Sequence, residues 1–95
     1  MPVAHRSSKA EVDLLEIWSH IAGNSPQAAD RLLDEIDAAS KMLAKHPNAG
    51  KSRDDLAHGI RFYPVGNYLI FYTVRESGII IVRVINGARD YRHDF

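Results

Sequence analysis

The apolar residues of this chain follow two different periods, and the change comes just past its middle. In the first half Leu14, Ile17, Trp18 and Ile21 recur at i, i+3, i+4 and i+7, one stripe of a helix, with Glu11, Glu16, Ser19 and His20 elsewhere on its surface. Ser8-Lys9-Ala10-Glu11 has the spacing of a capping box, which predicts a helix opening at Ser8 and running to about Ala22, where Gly23-Asn24 ends it. Helix restarts at once, with Ser25 as N-cap and Pro26 at the first helical position, where the missing amide hydrogen is not needed. The second helix reaches about Lys45; Ala29, Leu32, Leu33, Ile36, Ala39 and Leu43 form its apolar face, and Pro47 prevents continuation. So short a connection makes the pair an antiparallel hairpin.

A polar connecting loop is expected from Asn48 to Gly59, and after it the period becomes two. Ile60–Tyr63, Tyr68–Arg75 and Ile79–Ile85 are rich in β-branched and aromatic residues and are separated by Pro64-Val65-Gly66-Asn67 and Glu76-Ser77-Gly78, both turn sequences. This is an antiparallel three-stranded meander. Val3–Arg6 reads as a short opening strand, and the polar run Asn86–Phe95 as a tail on the surface. The fold class is therefore α+β: a helical hairpin packed on a small, mostly antiparallel sheet, in the order β-α-α-β-β-β.

Ninety-five residues with 45% apolar content are expected to form one domain spanning 1–95, since a chain this short buries only about 60–65% of its unfolded surface and cannot build a second core. The absence of cysteine rules out disulfides, thiolate metal sites and cysteine nucleophiles. His5, His20, His46 and His58 have no ligand spacing, so neither a metal nor another cofactor is expected. No apolar run resembles a signal peptide or a membrane span, and a cytoplasmic protein without membrane contact is expected. Residues 1–48 carry five Lys/Arg against seven Asp/Glu, residues 49–95 seven against five, and the formal net charge is zero. That balance argues against nonspecific duplex-DNA binding, which needs an excess of cations to displace counterions from phosphate.

The strands carry more apolar surface than a two-helix cover can bury. Tyr68, Ile70, Tyr72 and Val74 oppose Leu69, Phe71 and Thr73 on one strand, and Ile79, Ile81, Arg83 and Ile85 oppose Ile80, Val82 and Val84 on the next, so both faces are apolar. Such an excess marks a partner surface, for instance one where a disordered segment of another protein folds as it binds. The alternative is a cover formed by the opening strand, the tail or a second copy.

Four phrases in order carry a family resemblance. Asp13-Leu14-Leu15-Glu16-Ile17-Trp18-Ser19-His20-Ile21-Ala22 with the junction Asn24-Ser25-Pro26-Gln27-Ala28-Ala29, then Gly59-Ile60-Arg61-Phe62-Tyr63-Pro64, Tyr68-Leu69-Ile70-Phe71-Tyr72 and Val82-Arg83-Val84-Ile85-Asn86-Gly87-Ala88-Arg89-Asp90 resemble the helices, strands and C-terminal signature of ParE-type toxins of the ParE/RelE superfamily. Asn86 departs from the family, which often has His there. The resemblance covers nearly the whole chain and implies a cytoplasmic toxin neutralised by a cognate ParD-like antitoxin. Such a toxin meets DNA only indirectly, through that antitoxin.

Two activities are known in the superfamily. ParE-type members inhibit DNA gyrase by binding, without being enzymes, whereas RelE-type members cut messenger RNA on the ribosome. The second chemistry needs an acid, a base and cations facing the phosphate. If Ile60 and Phe62 face the helices, Arg61 faces outward and Arg83 shares that face, and with Tyr91 and His93 they would be the catalytic candidates. Under the gyrase reading Arg61, Arg83, Arg89, Asp90 and Tyr91 form the target-binding surface. Leu15, Trp18, Leu33, Tyr68, Ile70, Tyr72, Ile79 and Ile81 are the expected antitoxin contacts, those on the strands through their outer faces. An inactive member kept only as an antitoxin-binding module is the third possibility. Asp13 and Glu16, three apart on the first helix, read as solvated carboxylates.

Overall fold

The computed structural model describes all residues, Met1–Phe95. Strand β1 (Val3–Arg6) leads into helices α1 (Ser8–Ala22) and α2 (Pro26–Lys45); a 3-10 turn at Pro47–Ala49 follows, then β2 (Lys51–Ser52), β3 (Ile60–Val65), β4 (Tyr68–Arg75), β5 (Gly78–Asn86) and a second 3-10 turn at Arg92–Asp94. The strands form one sheet in the order β1-β5-β4-β3-β2. β1 runs parallel to β5, and every other pairing is antiparallel. The meander is thus the centre of a five-stranded mixed sheet, extended by β1 on one side and by β2, which lies inside the expected loop, on the other.

Both helix starts are capped by serine. Ser25 Oγ accepts the Ala28 amide at 3.2 Å as expected, but at α1 the cap is Ser7, not Ser8: its Oγ accepts from the Ala10 amide at 3.0 Å and donates to the Val82 carbonyl at 2.8 Å. That second bond chooses between two adjacent serines, because it ties the helix start to β5. The turn between β3 and β4 is a two-residue loop with Gly66 at φ +57°, a left-handed conformation that suits glycine at its first position. Gly78 serves a different need. A Cβ there would lie 1.9 Å from the Val3 carbonyl oxygen, so only glycine lets β1 dock against β5 at this point.

The helices cover one face of the sheet. Leu14 and Ile17 of α1 and Ile36 and Leu43 of α2 pack with Ile70, Tyr72, Ile79, Ile81 and Val84 in the main core. Ile70, Tyr72, Ile79 and Ile81 have no solvent exposure, which corrects the expectation that they lie on an outer face open to a partner. Their parity points toward the hairpin. A bulge explains how β5 keeps this up: Phe71 pairs with Arg83 but Tyr72 with Ile81, so Val82 is an extra residue. Beyond it Val84 returns to the helix side and Ile85 to the other, a change of phase that strict alternation does not foresee.

The opposite face is covered by the chain itself. Ile60, Phe71 and Ile85 form a second buried cluster against Leu56, Ala57, Phe62, Leu69, Val82, Tyr91 and Phe95. The rings of Tyr91 and Phe95 stand 5.2 and 4.7 Å from that of Phe71, both tilted. The tail is therefore a folded cover, not a solvated appendage, and the apolar excess of the strands is buried within the molecule. Large apolar side chains left exposed are few: Met1, Val3, Val12, Leu15 and Val74.

Candidate functional site

The cationic residues divide between the two faces of the sheet. Ile60 and Phe62 belong to the tail-covered cluster, so Arg61 points the other way, and it does not share a face with Arg83 as expected. Its Nη2 donates to the carbonyls of Gly50 at 2.6 Å and Asn48 at 3.2 Å, and its Nε also donates to Gly50. The Tyr72 hydroxyl, at the paired position on β4, donates to the Pro47 carbonyl at 2.6 Å and accepts the Gly50 amide at 3.0 Å. Arg61 and Tyr72 together hold the turn that leads into β2. Carbonyls at a turn have no helix or sheet partner, and a guanidinium with several donors can satisfy two of them at once.

Arg83 lies where β5 loses its neighbour. β1 ends at Arg6, opposite Ile81, so the later part of β5 has an open edge. Ser7 accompanies that edge through its amide and hydroxyl, and Asp13, one and a half turns into α1, closes it by accepting the Val84 amide at 3.0 Å. The same carboxylate takes Arg83 Nε at 2.8 Å and Nη2 at 3.0 Å, a bidentate pair with side chains only 15% and 11% exposed. Asp13 is thus a buried anion, not a solvated one.

The remaining Arg83 nitrogen, Nη1, donates to Asp94 Oδ1 at 2.8 Å, and Asp94 Oδ2 accepts from Arg89 Nη2 at 2.7 Å. A line of alternating charges, Asp13–Arg83–Asp94–Arg89, therefore joins α1 to β5 and β5 to the tail. Arg83 is held more firmly protonated than usual, first by its bond to Asp13, against burial, and then by Asp94. For Asp94, burial pushes the carboxyl up, but the Arg83 hydrogen bond and charge, aided by Arg89, hold it below the ordinary range.

The other tail candidates are dispersed. Tyr91 is half-buried on Phe71, with its hydroxyl 3.4 Å from Arg53 Nη1. Asp90 and His93 are exposed and 3.7 Å apart. Arg53 also holds Asp55 at 2.9 Å.

A second candidate surface lies on α1. Leu15 is 66% exposed and Val12 53% exposed, and the two are three positions apart on the side of the helix away from the core. Val12 was not anticipated, although its signal was present: it is an apolar residue outside the buried stripe. Trp18 is half-buried, with its indole N–H donating to Asp30 at 2.8 Å, while Leu33 and Tyr68 pack partly against the core.

The family model described as the ParE toxin of the type II toxin–antitoxin system parDE matches residues 5–91. The chain belongs to the ParE toxin family. Toxin ParE1 of Caulobacter vibrioides is 32% identical over 88 residues, covering 90% of each chain. Toxin ParE3 of the same organism is 27% identical over 83 residues, covering 86% of this chain and 83% of its own. A solved structure described as a chromosomal ParDE TA system from P. aeruginosa superimposes with a TM-score of 0.76 over 90% of this chain and 96% of that one, at 24% identity, so the fold is shared. The ParE toxin match takes in the end of β1, both helices, β2 to β5 and the tail as far as Tyr91, and so three of the four linked charges, Asp13, Arg83 and Arg89. Asp94 lies beyond it. No helix of this ParE toxin is long and apolar enough to cross a membrane.

Proposed function

We propose that this ParE toxin acts in the cytoplasm by binding and inhibiting DNA gyrase, and that a cognate ParD-like antitoxin neutralises it by covering α1. The observation that carries the reading is the commitment of the strand arginines to the fold. Arg83 has carboxylates on both sides, and Arg61 spends its donors on the carbonyls of Asn48 and Gly50. Cutting RNA would require such cations to face a phosphate as charge builds on it; leaving Asp13 unpaired in its buried site would be costly. A binding role makes no such demand. Arg89, Asp90 and the rim of Tyr91 would meet the target, with Arg61 and Arg83 supporting them from within.

Antitoxin binding is supported by the exposed Val12 and Leu15 pair, an apolar strip that a partner helix can bury. DNA is then met only through the antitoxin. The reading is tested by gyrase supercoiling with purified toxin and increasing antitoxin: inhibition that the antitoxin titrates away supports it, and undisturbed supercoiling counts against it.

A further inference from the structure

The line of charges ends on a residue whose surroundings are unusual for a tail. Asp94 is only 16% exposed, while Arg89, which it holds, is 52% exposed. Each oxygen of the Asp94 carboxylate has its own arginine, at 2.8 and 2.7 Å. The backbone around it is fixed as well: the Asp94 amide donates to the Tyr91 carbonyl at 3.0 Å, and the rings of Tyr91 and Phe95 rest on Phe71 on either side. Arg83, the inner partner, is immobilised in turn by the two bonds to Asp13. Rigidity therefore passes from the buried Asp13 on α1 to a solvent-facing guanidinium.

We infer that Asp94 is a positioning residue for the target-binding surface, holding Arg89 in a fixed attitude for the target while touching no target itself. The inference rests on the reading that the tail faces the target. An arginine free in solution samples many rotamers and surrenders that freedom when it binds; one already held by a rigid carboxylate has surrendered it on folding. One Arg89 nitrogen is used on Asp94, and the guanidinium keeps further donors for a carboxylate or backbone carbonyl of a partner protein.

The experiment compares wild type, Asp94→Asn, Arg89→Gln and the double variant at matched expression. Three quantities are read: growth arrest, the concentration that half-inhibits gyrase supercoiling, and affinity for the antitoxin. Asp94→Asn and Arg89→Gln should each weaken both toxic readouts by roughly five- to tenfold, the scale of fixing one long side chain. The double variant should be no worse than either single one, because Arg89 acts only when held. Antitoxin affinity should not move, which a general loss of folding would not allow. Wild-type toxicity in Asp94→Asn, or losses that multiply in the double variant, overturns the inference.

If Asp94→Asn no longer melts cooperatively, Asp94→Glu takes its place. It keeps the charge beside Arg83 but displaces the contact to Arg89, and undiminished toxicity in that variant overturns the inference equally. Should wild type arrest growth while supercoiling stays normal, gyrase is the wrong target, and the same variants compared by growth arrest still decide the role of Asp94.

Discussion

Asp13 and Arg83 are seventy residues apart in the chain and form a bidentate ion pair, with Asp13 also accepting the Val84 amide from the open edge of β5. Three donors thus converge on one carboxylate that reads, in sequence, as an ordinary helix-surface residue. Removing it leaves the Val84 amide without an acceptor and Arg83 held only through Nη1, by Asp94. Asp13→Ala is therefore expected to destabilise the domain by about 3 kcal/mol, the usual scale for breaking a buried pair from one side. Urea unfolding measures it; a loss below about 1 kcal/mol would place the pair among weak surface bridges.

Thr73 presents the opposite case. Its Oγ1 is buried without a hydrogen-bond partner. Because the hydroxyl pays for desolvation with nothing returned, Thr73→Val, which keeps the shape, should raise stability by about 1 kcal/mol. A decrease on urea unfolding would show that the hydroxyl finds a partner in solution.

Leu15 is 66% exposed and separates stability from partner binding. Leu15→Glu should leave the unfolding free energy within about 0.5 kcal/mol of wild type, as surface changes do. Affinity for the antitoxin should fall more than about tenfold, since an apolar anchor would be replaced by a charge in a desolvated contact. Calorimetric titration with purified antitoxin provides the test, and unchanged affinity would move the antitoxin off this side of α1.

How far the sequence could be read depended on whether local residues or distant ones decide each feature. Ser25, Pro26 and the spacing from Ala29 to Leu43 determine α2 locally, and its limits agree with the structure. The same holds for β4, whose bounds Tyr68–Arg75 were expected. Facing could not be judged in this way. With apolar residues at both parities of β4 and β5, alternation has no contrast, and the bulge at Val82 then inverts the phase within β5. Tyr91 and Phe95 stand isolated among charges, so their packing on Phe71 was hidden. Asp13 and Asp94 were missed for a related reason. The one hint was Arg83 itself, a cation interrupting an apolar strand, which must find an anion if that strand is to be buried.

Acid should loosen the tail in a defined range. Arg83 and Arg89 hold the Asp94 carboxyl below its ordinary range despite burial, so folded Asp94 is a stronger acid than unfolded Asp94. A lowered folded-state value means that the stabilisation is fully present above the unfolded value, near pH 4, and is lost as pH falls through the folded one. The stability advantage of wild type over Asp94→Asn should therefore be constant from about pH 5 to 7 and shrink below about pH 4. Urea midpoints at a series of pH values give this directly; an advantage independent of pH down to the acid transition would mean that the Asp94 charge contributes nothing.

The most direct test of the account sets two assays side by side with the same purified toxin: supercoiling by DNA gyrase, and cleavage of messenger RNA on translating ribosomes, each with and without the antitoxin. The account predicts lost supercoiling, intact messenger, and recovery when antitoxin is added. Codon-phased cuts with normal supercoiling would contradict it, and would require Arg61 and Arg83 to leave their places in the fold and act on RNA with Tyr91 and His93.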